Sequence, residues 1–317
     1  MVTEPTVLIV GAGGSIPYWY PSGESLVQRI LIGLETLSPK RDPEEVLRPI
    51  ASLLLHAGYE MSVLIKFRDM LAGSKTYSVD RLLQIKAHHH LLEAGKAAIA
   101  SALVPHEHSV TLTVQNDWYR YLLNQLISNL GADASEPLTI LTYNYDRSLD
   151  NYLYASFQTF LGYNGQEMKQ LMSRLPIIHI HGSLGKLPWQ TDNPADLPTP
   201  YGKMQFENPH ELKHSAAQIK IIHESEDNSP AYEEARKHLK AASRICFLGF
   251  GYDRINVRRL TIESWGSKKA GYIIGSSYGL TDSEKNQRLG FLGGNIVLGS
   301  HDLDCLGFLR NNVWVIS

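Results

Sequence analysis

Apolar positions along the chain fall into two patterns, short continuous runs and longer stretches at helical spacing. Residues 6–10, 138–141, 176–182, 244–248, 271–275 and 294–299 are short, rich in β-formers and closed by Gly, Asn, His, Asp or Ser, which predicts buried strands. Helical spacing fills the intervals. Leu26, Ile30 and Leu34 share a face over 24–33 behind a candidate Ser22 cap, and Pro39 and Pro43 interrupt it. Residues 44–130 are mostly helical in pattern, ending in the stripe Trp118, Leu122, Leu123, Leu126 and Ile127. A helix over 148–160 follows the second strand, 185–201 reads as a proline-rich loop, and 209–242 returns to helical composition. Strands alternating with helices predict a doubly wound, Rossmann-like α/β fold around a parallel sheet. The chain reads as one domain, 1–317, with a helical insertion at 40–130 and a loop and helical subregion at 185–242.

Composition narrows the class. The chain has 317 residues, 43% apolar and 20% charged, with formal net charge −2, which predicts an ordinary globular protein without a whole-chain field for nucleic acid or anionic lipid. Cys246 and Cys305 are the only cysteines and match no zinc or redox spacing, as expected in a reducing cytoplasm. The first apolar run ends in glycines after five residues, so no signal peptide is expected, and no window has the apolar length of a membrane span.

Candidate chemistry collects at the strand ends, where open α/β sheets bind ligands. The first strand runs into Gly11-Ala12-Gly13-Gly14-Ser15. Position 16 is Ile, so the three-glycine dinucleotide fingerprint fails, although Gly11 and Gly13 would still let the backbone approach a pyrophosphate. Ser15 would add a hydroxyl, and a following helix dipole about 0.3–1 kcal/mol. The second strand ends in Thr142-Tyr143-Asn144-Tyr145-Asp146, whose Asn144 and Asp146 point the same way if strand geometry persists. Further ends carry His179, His181-Gly182-Ser183, Gly249-Phe250-Gly251 and His301-Asp302-Leu303-Asp304.

Taken in order, these motifs resemble those of the sirtuin-like (silent information regulator-like) NAD-binding family, over roughly residues 7–309. The resemblance implies NAD as substrate. Gly11, Ala12, Gly13, Ser15, Thr142, Asn144, Gly249, Phe250 and Gly251 would line it, with Asp302 and Leu303 against adenine. Asn144 would hold a water or the ribose hydroxyls, His181 would act as general base, and Asp146 would orient the site or receive positive charge. Breaking the nicotinamide–ribose bond passes through an oxocarbenium-like sugar, which such groups can serve.

Two departures shape the expectation. Only Cys246 lies near the end of the interval from His181 to Gly249, so the four-cysteine zinc module of sirtuin deacylases cannot be built, and no metal is expected. The flap sequence of deacylases is replaced by Ile16-Pro17-Tyr18-Trp19-Tyr20. The chain is then similar to bacterial NAD-hydrolysing effectors of anti-phage defence. That implies a cytoplasmic NAD glycohydrolase gated by homo-oligomer assembly or by a separate partner such as a DNA-translocase-type ATPase. Rival readings are an NAD-dependent deacylase or ADP-ribosyltransferase, and a non-catalytic NAD or ADP-ribose sensor.

Plainer roles stand beside these. Asp146 could cap the following helix. His179 could be the base, with His181 structural. His88-His89-His90 diverge on a helix and His106 and His108 sit in a loop, so neither group is expected to hold a metal. The Trp118 stripe suits core or oligomer contact. Tyr18, Trp19 and Tyr20 suit either a lid or burial against the insertion, and Lys268-Lys269 is too small a cluster for nucleic acid.

Overall fold

The computed structural model describes residues 4–37, 49–86, 89–108, 114–128, 138–203, 206, 208–221, 229–260, 273–292 and 296–316. Lys268, Lys269 and His88 lie outside them. Among the described residues six parallel strands form one sheet: β1 (Thr6–Val10), β2 (Leu138–Thr142), β3 (Ile177–His179), β4 (Arg244–Leu248), β5 (Ile273–Gly275) and β6 (Val297–Leu298). Their spatial order is β3-β2-β1-β4-β5-β6. The fold is therefore α/β and doubly wound, with the Rossmann-like reversal of strand order at β1.

The fully buried run of β1 follows from its central position. Leu8 and Val10 belong to one hydrophobic cluster, while Val7 and Ile9 belong to a second on the opposite face. A strand covered on both faces has no polar side, which is why its sequence lacks alternation. The second cluster is closed by α10 (Pro230–Ala241) through Tyr232, Ala235 and Leu239, and by Val257 of α11 (Arg254–Arg259). A helix α12 (Asp282–Phe291), opened by a Thr281/Glu284 capping box, leads to the edge strand β6.

The first cluster is larger because it includes the helical insertion. After α1 (Gly23–Gly33), whose Ser22 cap accepts the Ser25 N–H, come α2 (Pro49–His56), α3 (Met61–Ser74), α4 (Val79–Lys86), α5 (His89–Leu103) and α6 (Trp118–Ile127). Helix α5 is the axis of this layer: Ala94, Ala97, Ala98, Ile99 and Ala100 are fully buried, and small side chains let its neighbours approach on several sides. Helices α7 (Ser148–Leu161), α8 (Gly165–Ser173) and the C-terminal α13 (Cys305–Asn311) complete the face, with Leu153, Met168 and Phe308 in the same cluster. The segment 185–242 divides between the layers. Its α9 (Pro209–Gln218) packs on α5, whereas α10 covers the opposite face. No helix among the described residues is long and apolar enough to cross a membrane.

Candidate functional site

The strand order reverses between β2 and β4 on either side of β1, which leaves a crevice at their carboxyl ends. Two glycine turns meet there. The Gly11 N–H donates to Leu248 O at 3.0 Å, and the Gly13 N–H donates to Gly249 O at 2.9 Å. Gly249 adopts φ +57°, and a Cβ on it would lie 2.2 Å from Gly14 N; a Cβ on Gly13 would lie 2.8 Å from Gly249 O. The absence of side chains at Gly11, Gly13 and Gly249 is thus required first by backbone packed on backbone. The N–H groups of Gly14 and Ser15 are also taken, by Gly11 O and Ala12 O.

Over this junction opens a cavity of about 770 Å³, lined by Gly13, Trp19, Gly249, Phe250, Gly251, Ser276, Ser277, Asp304 and Cys305 among others. Its size lies within the range of small-molecule and cofactor sites. A second cavity of about 860 Å³ lies between α1, α2 and α5, away from the strand ends, and contains none of the sequence-predicted site residues. Asp302 is exposed and Leu303 packs on the main core; the next two residues, Asp304 and Cys305, form the cavity wall instead. Asp304 also caps α13 by accepting the Gly307 N–H at 2.7 Å. Gly11, Ala12, Ser15, Thr142, Asn144, Asp146 and His181 stand outside the lining.

Strand β2 ends at Thr142, whose hydroxyl accepts the Asn144 N–H at 3.1 Å, so strand alternation does not continue through Asn144 and Asp146. They converge by another route. The Asn144 amide donates to Gly11 O at 3.0 Å and to Ser15 Oγ at 2.8 Å, and Ser15 in turn hydrogen-bonds the Asp146 carboxyl. Asp146 Oδ1 also accepts the N–H and hydroxyl of Ser148, so it serves the start of α7 as a capping residue would. Burial raises the Asp146 pKa above its ordinary value, against hydrogen bonds from Ser148 and Ser15 that favour the anion.

The two histidines of β3 and its exit differ in surroundings. His179 Nδ1 lies 2.9 Å from Asn144 O, and its Nε2 lies 3.2 Å from Asp150 Oδ2. Burial alone would lower its pKa; the Asp150 carboxylate, the Asn144 carbonyl and the Asp146 carboxylate together outweigh that and raise it. Burial lowers the pKa of His181, with the Asp80 carboxylate and Asn256 acting against it. His181 Nε2 lies 3.4 Å from Asn256 Oδ1, and its ring meets Tyr143 edge-on at 5.2 Å. Tyr143 meets Phe250 in the same way at 5.1 Å, so two rings connect His181 to the cavity wall. Gly182 has φ +71°, and a Cβ there would stand 1.9 Å from Gln218 O.

Several residues that shape the site carried no sequence signal. Arg147 and Glu107, 1% and 0% exposed, form a two-armed ion pair: Nε donates to Oε1 at 2.8 Å and Nη2 to Oε2 at 2.5 Å. Arg147 Nη1 donates further to Thr199 O at 2.7 Å, joining the insertion, the start of α7 and the proline-rich loop. Trp118 Nε1 donates to Gly14 O at 2.7 Å, so the apolar stripe of α6 is core and holds the glycine turn. The aromatic triplet divides. Tyr18 and Tyr20 are buried, with Tyr18 stacked on Tyr119 and bonded to Asp117, whereas Trp19 takes φ +69° and is 66% exposed at the cavity rim. Among the described residues no group of three or more His, Cys, Asp and Glu side chains could hold a metal ion.

Comparisons of the chain with protein-family models and with curated protein sequences give no match.

Proposed function

We propose that this protein is an NAD glycohydrolase, cleaving the nicotinamide–ribose bond of NAD to give nicotinamide and ADP-ribose. The observation that carries this reading is the cavity at the β1/β4 reversal, walled by both glycine turns, with the Asn144 amide fastened to the first of them. In the reaction, the C–N bond breaks with its electron pair leaving on the nicotinamide nitrogen. Water then adds to the oxocarbenium-like ribose carbon and loses a proton to a base. A buried, neutral His181 suits that base, and Asn144, whose two amide hydrogens go to Gly11 O and Ser15 Oγ, can hold the water or a ribose hydroxyl through its side-chain carbonyl oxygen.

The ordered motifs extend the proposal to a defence effector gated by self-assembly or by a separate partner such as a DNA-translocase-type ATPase. A second reading, a non-catalytic NAD or ADP-ribose sensor, is favoured by one feature: His181 stands behind Tyr143 and Phe250 rather than on the cavity wall. Nicotinamide release from NAD by the purified protein separates the two. Release that is lost in Asn144→Ala and His181→Ala supports the hydrolase. Binding of ADP-ribose with no release, alone or with the partner, supports the sensor.

A further inference from the structure

His179 sits where a second base could stand, two residues before His181, yet both of its nitrogens are engaged. Nδ1 faces the carbonyl oxygen of Asn144, which has no proton to give. Nε2 faces Asp150 Oδ2. Asp150 is 1% exposed and is itself anchored, because its other oxygen accepts Gln190 Nε2 at 3.0 Å and Gln190 Oε1 accepts the Leu187 N–H at 2.7 Å. With Asp150 ionised both partners are acceptors, an arrangement that calls for a proton on each ring nitrogen and leaves no lone pair for catalysis. The charged groups around it are Asp150 of α7 and Asp146 at the preceding turn. Lys169 of α8, on the cavity that Asp150 also lines, is paired with Asp192.

We infer that His179 is a positioning residue for Asn144, a protonated imidazole clamped between the Asn144 carbonyl and the Asp150 carboxylate; this rests on Asn144 acting at the reacting ribose. A continuous chain of hydrogen bonds runs from the 187–190 turn through Asp150 and His179 to the Asn144 main chain. From the same residue the side-chain amide reaches Gly11 O and Ser15 Oγ. Asn144 is thereby held at both ends, by its carbonyl from β3 and by its amide from the β1 turn. The same clamp assigns the base role to His181, since His179 has no site at which to accept a proton. Triad enzymes use a carboxylate to fix a histidine in a comparable way; here the histidine in turn fixes an amide-bearing residue.

The test uses the full chain and three readouts. In His179→Gln and Asp150→Asn, kcat for nicotinamide release is expected to fall about 100-fold, the scale of an ångström-level misplacement, with affinity for ADP-ribose little changed. The two losses should be far from additive in the double variant, because either one breaks the same chain. Nitrogen NMR of the wild-type imidazole should show both His179 nitrogens protonated at pH 7, and amide exchange over 142–146 should quicken in His179→Gln. A neutral, single-tautomer His179 in the wild type overturns the inference without any variant. So does a His179→Gln protein with wild-type kcat and unchanged exchange. If the wild type releases no nicotinamide, alone or with its partner, the hydrolase reading falls, and ring protonation together with exchange still decides whether His179 clamps Asn144.

Discussion

The side-chain amide of Asn144 stands 2.8 Å from the hydroxyl oxygen of Ser15, across the boundary between two parallel strands. Ser15 hydrogen-bonds Asp146, so one hydroxyl joins the two polar residues of the β2 exit to the turn that follows β1. The geometry of the glycine turn and that of the candidate reacting amide are therefore one property. Replacing Asn144 by Ala removes the bonds to Gly11 O and Ser15 Oγ, each contributing about 0.5–1.5 kcal/mol. Urea unfolding is expected to show a loss of roughly 1–3 kcal/mol, and the nicotinamide assay a loss of release. Unchanged stability would show that the amide does not tie the turn.

The two glycines of Gly249-Phe250-Gly251 are expected to respond oppositely to alanine. Gly249 combines φ +57° with a Cβ position 2.2 Å from Gly14 N, and Gly251 has open space at its Cβ position. Gly249→Ala should cost about 3 kcal/mol or more, from the left-handed backbone and from overpacking together. Gly251→Ala should stay within about 0.5 kcal/mol while altering ADP-ribose affinity, since Gly251 lines the cavity. Thermal melts and ligand titration of the pair check both parts.

Arg147→Met would leave Glu107 buried without its cation. The expected cost is about 3–5 kcal/mol, the range for breaking a buried pair. Glu107→Leu combined with Arg147→Met should be less damaging than the sum of the single changes, because the double variant strands no charge. Denaturation midpoints of the three variants decide it. Equal additivity would mean that the two side chains act independently.

His106 supplies a pH dependence with a defined sign. Burial, then Arg29 and His108, lower its pKa from 6.5 to about 4. A depressed folded-state value means that the unfolded chain binds the proton more readily, so this contribution to stability is present above pH 6.5 and is lost as pH falls toward 4. The melting temperature should fall across that interval, and His106→Asn should flatten the fall. The slope that remains includes His181, whose pKa burial also lowers. A His106→Asn profile parallel to the wild type would exclude the linkage.

Much of the frame was legible in the sequence because the interactions behind it are local or periodic. A strand buried on both faces must be a continuous apolar run, as 6–10 and 244–248 are, and Ser22 caps the helix that its position announces. The edge strand was less sharply marked: of 294–299 only 296–299 are described, and within them Val297 and Leu298 form β6, exposed or only partly covered as an edge strand is. The polar strand ends gather at one edge of the sheet, because parallel strands deliver their exits to the same side.

Which exits meet was decided only by the tertiary structure. No local rule states that Gly249 lies against Gly13, that Glu107 pairs with Arg147, or that Asp304 and Cys305 rather than Asp302 and Leu303 wall the cavity. In a linear chain His179 and His181 are both candidates, with the following Gly-Ser favouring His181. Their surroundings differ because β3 packs beside β2 and sets an Asp150 carboxylate against one ring and Tyr143 with Asn256 against the other. Sequence by itself determined the elements, since hydrophobic period and caps act within a few residues. Tertiary packing determined the partners, since proton positions and close contacts depend on groups brought together from tens to hundreds of residues apart.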